Sequence, residues 1–266
     1  MNVREPVTRF RTRRTGRRSA PAVIGVAMAL SVAPVVGVAE DGNALWRVVH
    51  HLCVSHMRFD GHPEPCTKVD LPRGYAVVKD LGNPTQLLLV PTARVTGIED
   101  ARLLAPGSPN YWQMSWENRY LLEWRAKRPL RRDEIGMVVN SMYARSEGQL
   151  HIHIDCVDAD VGRALAAHRD EIGPAWRVLD AELSGRTYAA RWIPEAALGA
   201  NDPFKLLAEL PAARSDMGRQ TLVLVGATSS RGEPGFILLN DQANAEAADF
   251  AHGEDLLDHA CPLGAP

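Results

Sequence analysis

Two histidines two residues apart are placed so that they could act on one substrate. Residues 149–156 alternate polar and apolar side chains, a period of two that is typical of a β-strand with one buried face. The alternation predicts that Gln149, His151, His153 and Asp155 share one face. A neutral imidazole can attack phosphorus as a nucleophile, a pair of imidazoles can bind a metal ion, and a polar strand face can simply meet solvent. The spacing alone leaves these three interpretations open.

The overall composition bounds the size and the partners of the protein. The chain has 266 residues, which suits one large or two small domains, and its 45% hydrophobic residues are enough to form a core. Of its 30 basic and 32 acidic residues, seven arginines and one glutamate lie in residues 1–39. The remainder is therefore acidic. We expect no binding to nucleic acid, because affinity for the phosphate backbone requires clusters of Lys and Arg.

The N-terminal segment has the pattern of an export signal or a membrane anchor. Its arginines precede an uncharged run at residues 19–39, which ends in Gly37-Val38-Ala39. The run has about the 20 residues that a helix needs to span a bilayer. Arginines on its N-terminal side predict that the rest of the chain is exported. We favour a retained anchor, and a cleaved signal is the alternative.

Four cysteines agree with export, because an even number in an exported chain suggests disulfides. Cys53 and Cys66 bracket a short loop, Cys156 follows the second histidine, and Cys261 lies near the C-terminal end of the sequence. Three pairings are possible. We favour Cys53 with Cys66, which closes the local loop, and Cys156 with Cys261. No CxxC pattern is present, so we expect no structural zinc site.

The residues before the histidine segment predict helices and antiparallel strands. Apolar spacing predicts a helix over residues 41–54, and two apolar runs around a turn predict a hairpin at 74–80 and 86–91. Aromatic residues spaced by four predict a helix over about 111–127 that packs in the core, and a strand follows at 135–140. This order predicts an α+β fold, an antiparallel sheet with flanking helices.

The residues after the histidine segment predict a second, similar set of elements. The sequence predicts a helix over 158–168, a strand at 187–192 and a helix over 202–210. A hairpin at 220–225 and 235–240 and a last helix over about 243–259 follow. This half has no second His-x-His. It is either a degenerate repeat of the first half or a packing extension, and both interpretations stay open.

Further short motifs stand in order around the histidine segment, at residues 74–80, 88–94, 109–110, 140–141, 145–146, 217–218 and 258–261. Together with residues 149–156 they resemble the bacterial CDP-diacylglycerol pyrophosphatases of the histidine-triad superfamily. The resemblance covers about residues 41–262 and implies a histidine-triad-like fold. We accordingly expect a signal or anchor at 1–39 and a pyrophosphatase domain at 40–262, with a catalytic half at about 40–165 and a C-terminal half at about 166–262.

The resemblance also implies a reaction. CDP-diacylglycerol would be hydrolysed to CMP and phosphatidate, with His151 as the nucleophile and a nucleotidyl-histidine as the intermediate. The superfamily has a third histidine where this chain has Gln149, which keeps a hydrogen-bonding side chain but cannot titrate. His153 would complete the catalytic set, and Asp155 or a backbone carbonyl would hold the tautomer of His151.

Other residues are expected to bind the substrate under this resemblance. His153, Gln149, Asn140 and Ser141 would donate hydrogen bonds to phosphate oxygens. Lys79 and Arg145 would contact phosphate, and Ser146 lies in the same loop as Arg145. The attack by imidazole needs neither a metal ion nor a cofactor.

The lipid substrate of the resembled family implies a place of action. The enzyme would meet CDP-diacylglycerol at the bacterial inner membrane, with the catalytic domain on the periplasmic side, or as a soluble periplasmic protein if the signal is cleaved. Two other functions stay open. One is a histidine-triad hydrolase or nucleotidyl transferase that acts on soluble nucleotides, and the other is an exported metal-binding module that uses His151 and His153.

Overall fold

The computed structural model describes residues 42–261, and the predicted signal or anchor at 1–39 lies outside these residues. Within them, ten strands form one antiparallel sheet in the order β1-β2-β3-β5-β4-β8-β9-β7-β6, with β10 paired to β5. The strands are β1 Lys68–Asp70, β2 Tyr75–Lys79, β3 Leu87–Pro91, β4 Ile135–Val139, β5 Ile152–Val157, β6 Arg177–Leu183, β7 Arg186–Pro194, β8 Gln220–Thr228, β9 Pro234–Gln242 and β10 Leu257–Asp258.

Short helices cover both faces of the sheet, so the predicted α+β class is confirmed. They are α1 Ala44–Arg47, α2 Val54–Phe59, α3 Tyr111–Glu117, α4 Tyr120–Ala126, α5 Ala159–His168, α6 Pro203–Leu207 and α7 Pro211–Ser215. A π-helical segment, Val48–Cys53, joins α1 to α2, and the predicted first helix therefore extends to Phe59. No helix in the described range 42–261 is long and apolar enough to cross a bilayer.

The two faces of the sheet have different coverings. One face carries the larger core cluster, in which strand residues such as Leu89, Met137 and Ile154 are buried with Trp112 and Phe204 from α3 and α6. The opposite face is covered in two places. The N-terminal helical segment packs over β1–β3, and α5 with the segment before β10 packs over β4, β8 and β9. The face of β5 that bears the histidines lies between these two coverings.

Two predicted helices are wrong in detail. The aromatic helix breaks after Glu117, because the Asn118 side chain donates to the carbonyl of Met114 and to Tyr75 Oη, in competition with the helical backbone. The last predicted helix does not form. Residues 243–259 instead run along the sheet as 3₁₀ turns and the short β10, with Ala248 and Ala251 at positive φ. The sequence analysis also missed β1 and β6.

Tertiary contacts explain why the alanine-rich C-terminal segment stays extended. Gly253 packs so closely on the sheet that a Cβ there would lie 2.5 Å from Thr221 Cγ2 and 2.8 Å from Val138 Cγ1. Thr221 Oγ1 donates to the carbonyl of Ala251, and Asp249 is paired with Arg186. These contacts with β7 and β8 outweigh the helix propensity of the alanines, which is worth only tenths of a kcal/mol per residue.

Both predicted disulfides are confirmed, Cys53–Cys66 at 2.00 Å and Cys156–Cys261 at 2.09 Å. The second joins residues 105 apart in sequence and fastens the end of the C-terminal segment to β5.

Replacing Cys156 and Cys261 together with serine should lower the free energy of unfolding by about 2–4 kcal/mol, because closing a long loop restricts the unfolded chain. Urea unfolding of the double variant and the wild type checks this value. The Cys53→Ser/Cys66→Ser variant is the matched control, since its 13-residue separation predicts a smaller loss. Equal unfolding midpoints for wild type and the Cys156→Ser/Cys261→Ser variant would contradict the prediction.

Candidate active site

The two histidines meet as the alternation predicts, on the face of β5 between the two coverings. Their ring centroids lie 4.7 Å apart with an interplanar angle of 69°. Both side chains are buried. Ile152 and Ile154 point to the opposite face and join the larger core cluster. His151 itself precedes the strand, which begins at Ile152.

His151 is held as a neutral imidazole with one free nitrogen. Its Nδ1 lies 2.7 Å from the carbonyl oxygen of Gln149, an acceptor, so Nδ1 carries the proton and the lone pair is on Nε2. Burial, followed by the electrostatic interaction with His153, lowers the pKa of His151 to about 4. A backbone carbonyl therefore fixes the tautomer, one of the two expected possibilities, and Asp155 does not.

This pKa predicts an unusually low acid limit of activity. If His151 attacks as the neutral imidazole, kcat/KM should stay level from neutral pH down to about pH 5 and then fall about tenfold per unit below about pH 4. The pH profile of kcat/KM, with circular dichroism at each pH to show that the fold persists, tests this. An acid limb centred near the ordinary histidine value of 6.5 would contradict it.

His153 faces a buried carboxylate, that of Glu254. The His153 Nδ1 lies 3.0 Å from Glu254 Oε2, and both side chains are almost fully buried. The contact has the distance of an ion pair but not the alignment of a hydrogen bond, and Nε2 has no partner among the described residues. A buried ring nitrogen without a partner is uncommon. It leaves Nε2 of His153 available to a ligand.

Glu254 is a candidate site residue that the sequence patterns did not indicate. Gln86 Nε2 donates to its Oε2 at 2.9 Å, and Asn140 Nδ2 donates to its Oε1 at 2.6 Å. Burial alone would raise the pKa of Glu254, but the His153 pairing and these two donors hold it well below its ordinary value. Glu254 lies in the segment predicted to be a helix, and no residue spacing in that segment indicated a contact with β5.

Arg145 lies beside His151, as expected from the prediction that it contacts phosphate. A small cleft is lined by Gly97, Asn140, Arg145, Gln149 and His151, among others. The Arg145 guanidinium makes two contacts of 2.6 and 2.5 Å with Glu99. A Cβ at position 97 would lie 1.7 Å from Arg145 Nη1, so only glycine lets this guanidinium lie flat against the backbone.

Gln149 and Ser141 are placed differently from the expectation that they donate to substrate. The Gln149 amide is buried, its Nε2 donates to the carbonyls of Pro91 and Ala93, and its Oε1 accepts from the Val95 N–H. Both of its donor hydrogens are therefore used. The Ser141 hydroxyl donates to the Phe250 carbonyl at 2.5 Å. Both side chains position backbone around the site instead of facing it.

Two other predicted substrate contacts are not brought to the histidines. Lys79 pairs in register with Leu87, which pairs with Ile154, so Lys79 points to the face opposite His153. Its Nζ lies 5.9 Å from the centroid of Trp124 on that face. Ser146 is exposed in the loop beyond Arg145, and its carbonyl packs near Gly42. The register of three paired strands determines the face on which Lys79 lies, and this register cannot be read from the sequence alone.

Asp155 pairs with a histidine from the C-terminal segment. Its buried carboxylate lies 2.9 Å from Nδ1 of His259 and accepts from Thr85 Oγ1 at 2.7 Å. Of the residues that the structure describes, one group of three potential metal ligands lies together, Asp155 with Cys156 and Cys261. The two cysteines form a disulfide and offer no thiolate.

The comparisons with known proteins agree on one family. A family model described as CDP-diacylglycerol pyrophosphatase matches residues 40–265. A CDP-diacylglycerol pyrophosphatase of Yersinia pestis is 38% identical over 225 residues, which cover 84% of this chain and 86% of that protein.

Proposed function

This chain belongs to the CDP-diacylglycerol pyrophosphatase family and hydrolyses CDP-diacylglycerol, and we propose that His151 is the nucleophile of this hydrolysis. The observation that carries the proposal is the hydrogen bond from His151 Nδ1 to the Gln149 carbonyl, which leaves the lone pair on Nε2. The lowered pKa of His151 keeps that lone pair free of a proton at neutral pH.

The reaction proceeds in two displacements. His151 Nε2 forms a bond to the cytidylyl phosphorus, and the bond from this phosphorus to the bridging oxygen breaks as phosphatidate leaves. His153, whose Nδ1 faces Glu254, gives a proton from Nε2 to the leaving oxygen. Water then attacks the same phosphorus, His153 takes a proton from it, and the nitrogen–phosphorus bond breaks to release CMP. Two displacements replace one difficult step.

Fixed donors stabilise the negative charge on the phosphoryl oxygens. Arg145 lines the cleft with His151 and uses part of its five donors on Glu99. Asn140 has one amide hydrogen left after its bond to Glu254. Both groups are held in place before substrate arrives, which is what makes electrostatic stabilisation effective.

We also propose that the fold is histidine-triad-like and that its two halves are a degenerate repeat. The strand order supports this: β2-β3-β5-β4 in the first half corresponds to β6-β7-β9-β8 in the second, and the halves meet at β4 and β8. In both halves, helices lie between the second and third strands along the chain: α3 and α4 lie between β3 and β4, and α6 and α7 lie between β7 and β8. The strand that corresponds to β5 is β9, which carries apolar residues where β5 carries histidines. The two halves would then form one domain over 40–262, since Glu254 of the second half contacts His153 of the first.

The enzyme is proposed to act at a membrane surface on the exported side of the cell. Two disulfides are typical of an oxidising compartment. Met142, Tyr143 and Phe250 are each exposed by more than two fifths. They are joined to the site by Ser141, whose hydroxyl binds the Phe250 carbonyl. These side chains are suited to contact the acyl chains of a lipid that is still in the bilayer. The anchoring role of residues 1–39 is part of the same proposal.

Two experiments test the function and its intermediate. Turnover of CDP-diacylglycerol should exceed that of a soluble dinucleotide, and equal turnover would favour the alternative of a hydrolase for soluble nucleotides. Substrate labelled in the cytidylyl phosphate should leave an acid-labile, base-stable label on a peptide that contains His151. Label on another residue would refute the nucleophile assignment. Stoichiometric zinc or copper lost on mutating both histidines would favour the metal-binding alternative.

A further inference from the structure

A second histidine–carboxylate pair, Asp155 with His259, lies on the same face of the sheet. β10 pairs antiparallel with the end of β5, with Asp258 opposite Cys156, so the register continued by one residue places His259 opposite Asp155. The His259 Nδ1 lies 2.9 Å from Asp155 Oδ2. Asp155 is fully buried and also accepts hydrogen bonds from Thr85 Oγ1 and the Cys156 N–H. Three donors on one buried carboxylate hold it rigidly.

The pair is adjacent to the reacting histidines. Asp155 follows His153 by two residues, about 7 Å along a strand, and shares its face. Gln86 connects the two pairs, because its Nε2 lies 2.9 Å from Glu254 Oε2 and 3.5 Å from His259 Nδ1. Along this face of β5 the order is therefore His151, then His153 with Glu254, then His259 with Asp155. The Cys156–Cys261 disulfide flanks the last pair on both chain segments.

His259 is partly exposed, so its pair with Asp155 is not a purely internal contact. Its side chain is 32% exposed, whereas its partner Asp155 has no exposed surface. Because Nδ1 faces the carboxylate, Nε2 is the nitrogen left for another group. The carboxylates on either side already have partners, since Glu254 faces His153 and Asp155 faces His259. A ring with hydrogen on both nitrogens donates from Nδ1 to Asp155 and from Nε2 to a bound anion, and no unpaired carboxylate is exposed.

We propose that His259, positioned by Asp155, binds the phosphate of the leaving phosphatidate. The inference rests on the proposed function, in which His151 attacks the cytidylyl phosphorus and His153 protonates the bridging oxygen. In this arrangement the phosphate of the lipid lies beyond the bridging oxygen, away from His151, and His259 is the next imidazole after His153 along this face of β5. Binding there would favour departure of the lipid phosphate and would not contact the cytidylyl group.

The test compares the affinities of the two products. Calorimetry should show that His259→Gln weakens binding of short-chain phosphatidate about 10-fold or more and leaves the dissociation constant of CMP unchanged. Asp155→Asn should also weaken the binding of phosphatidate. His259→Lys, which places an ammonium group at this position, should recover part of the affinity. His168→Gln is the matched control, because His168 is paired with Glu171 on the surface of α5. Unchanged CMP binding also shows that each variant is folded.

A second measurement uses a substrate whose leaving group has no phosphate. His259→Gln should lower kcat/KM for CDP-diacylglycerol about 10²-fold and for the p-nitrophenyl ester of CMP less than about threefold. Equal losses for both substrates, or equal weakening of both products, would show a structural role and overturn the proposal. No loss for either would also overturn it. Normal turnover by a His151→Ala variant would refute the nucleophile assignment and leave the phosphatidate result standing, so the two failures are distinguishable.

Discussion

Replacing His151 with alanine should lower kcat for CDP-diacylglycerol by on the order of 10⁴-fold or more, because the variant lacks the Nε2 lone pair that we propose attacks the phosphorus. The first displacement should fail in this variant, so phosphatidate should not be released. We therefore expect neither a burst of phosphatidate nor label on the protein. Rapid-quench measurement of phosphatidate and CMP in one reaction separates this outcome from a defect in the second displacement.

The control for this variant is His62→Ala, which removes an exposed histidine. His153→Ala should reduce kcat without abolishing formation of the labelled intermediate, since His151 keeps its tautomer through the Gln149 carbonyl. If His151→Ala kept normal turnover, or if His153→Ala and not His151→Ala prevented labelling, the nucleophile would be wrongly assigned.

Replacing Glu254 with glutamine should lower kcat about 10²–10³-fold, because His153, the proposed acid for the leaving oxygen, loses the carboxylate that faces it. The same change should destabilise the fold by about 3–5 kcal/mol, as expected when one partner of a buried ion pair is removed. Steady-state kinetics and urea unfolding measure the two effects. Glu246→Gln, an exposed change in the same C-terminal segment, is the matched control.

The stability difference should depend on pH in a defined direction. The pKa of Glu254 in the folded protein lies well below its ordinary value of 4.5. Its contribution is therefore present above about pH 4.5 and is lost as the pH falls toward the folded value. The gap in unfolding free energy between wild type and Glu254→Gln should be full at neutral pH and should narrow below about pH 4.5. A gap that widens on acidification would contradict the ion pair.

Local patterns predicted the parts of the fold that depend on neighbours in sequence. The alternation in residues 149–156 placed His151 and His153 on one face, and the two hairpins followed from apolar runs around turns. The pairing Cys53–Cys66 followed from a short loop. In each case the deciding contact is made within a few residues, or within one strand, so composition and period carry enough information.

Contacts across the sheet decided the rest. Glu254 lies in a segment whose alanines favour a helix, and tertiary contacts such as the close packing of Gly253 on Val138 and Thr221 keep that segment extended on the sheet. Lys79 was expected to contact phosphate under the family resemblance, but the register of β2, β3 and β5 places it on the other face. Gln149 looked like a substitute for a catalytic histidine, and its amide is consumed by the backbone of residues 91–95. None of these contacts has a local signature.

The C-terminal segment crosses the histidine face and is fastened by Glu254 at one point and by Cys261 at another. A chain synthesised only as far as β9 contains both His151 and His153 but lacks Glu254, which contacts His153, and His259, which contacts Asp155. The histidine site is therefore completed last, when residues 254–261 fold back across β5 and Cys261 joins Cys156.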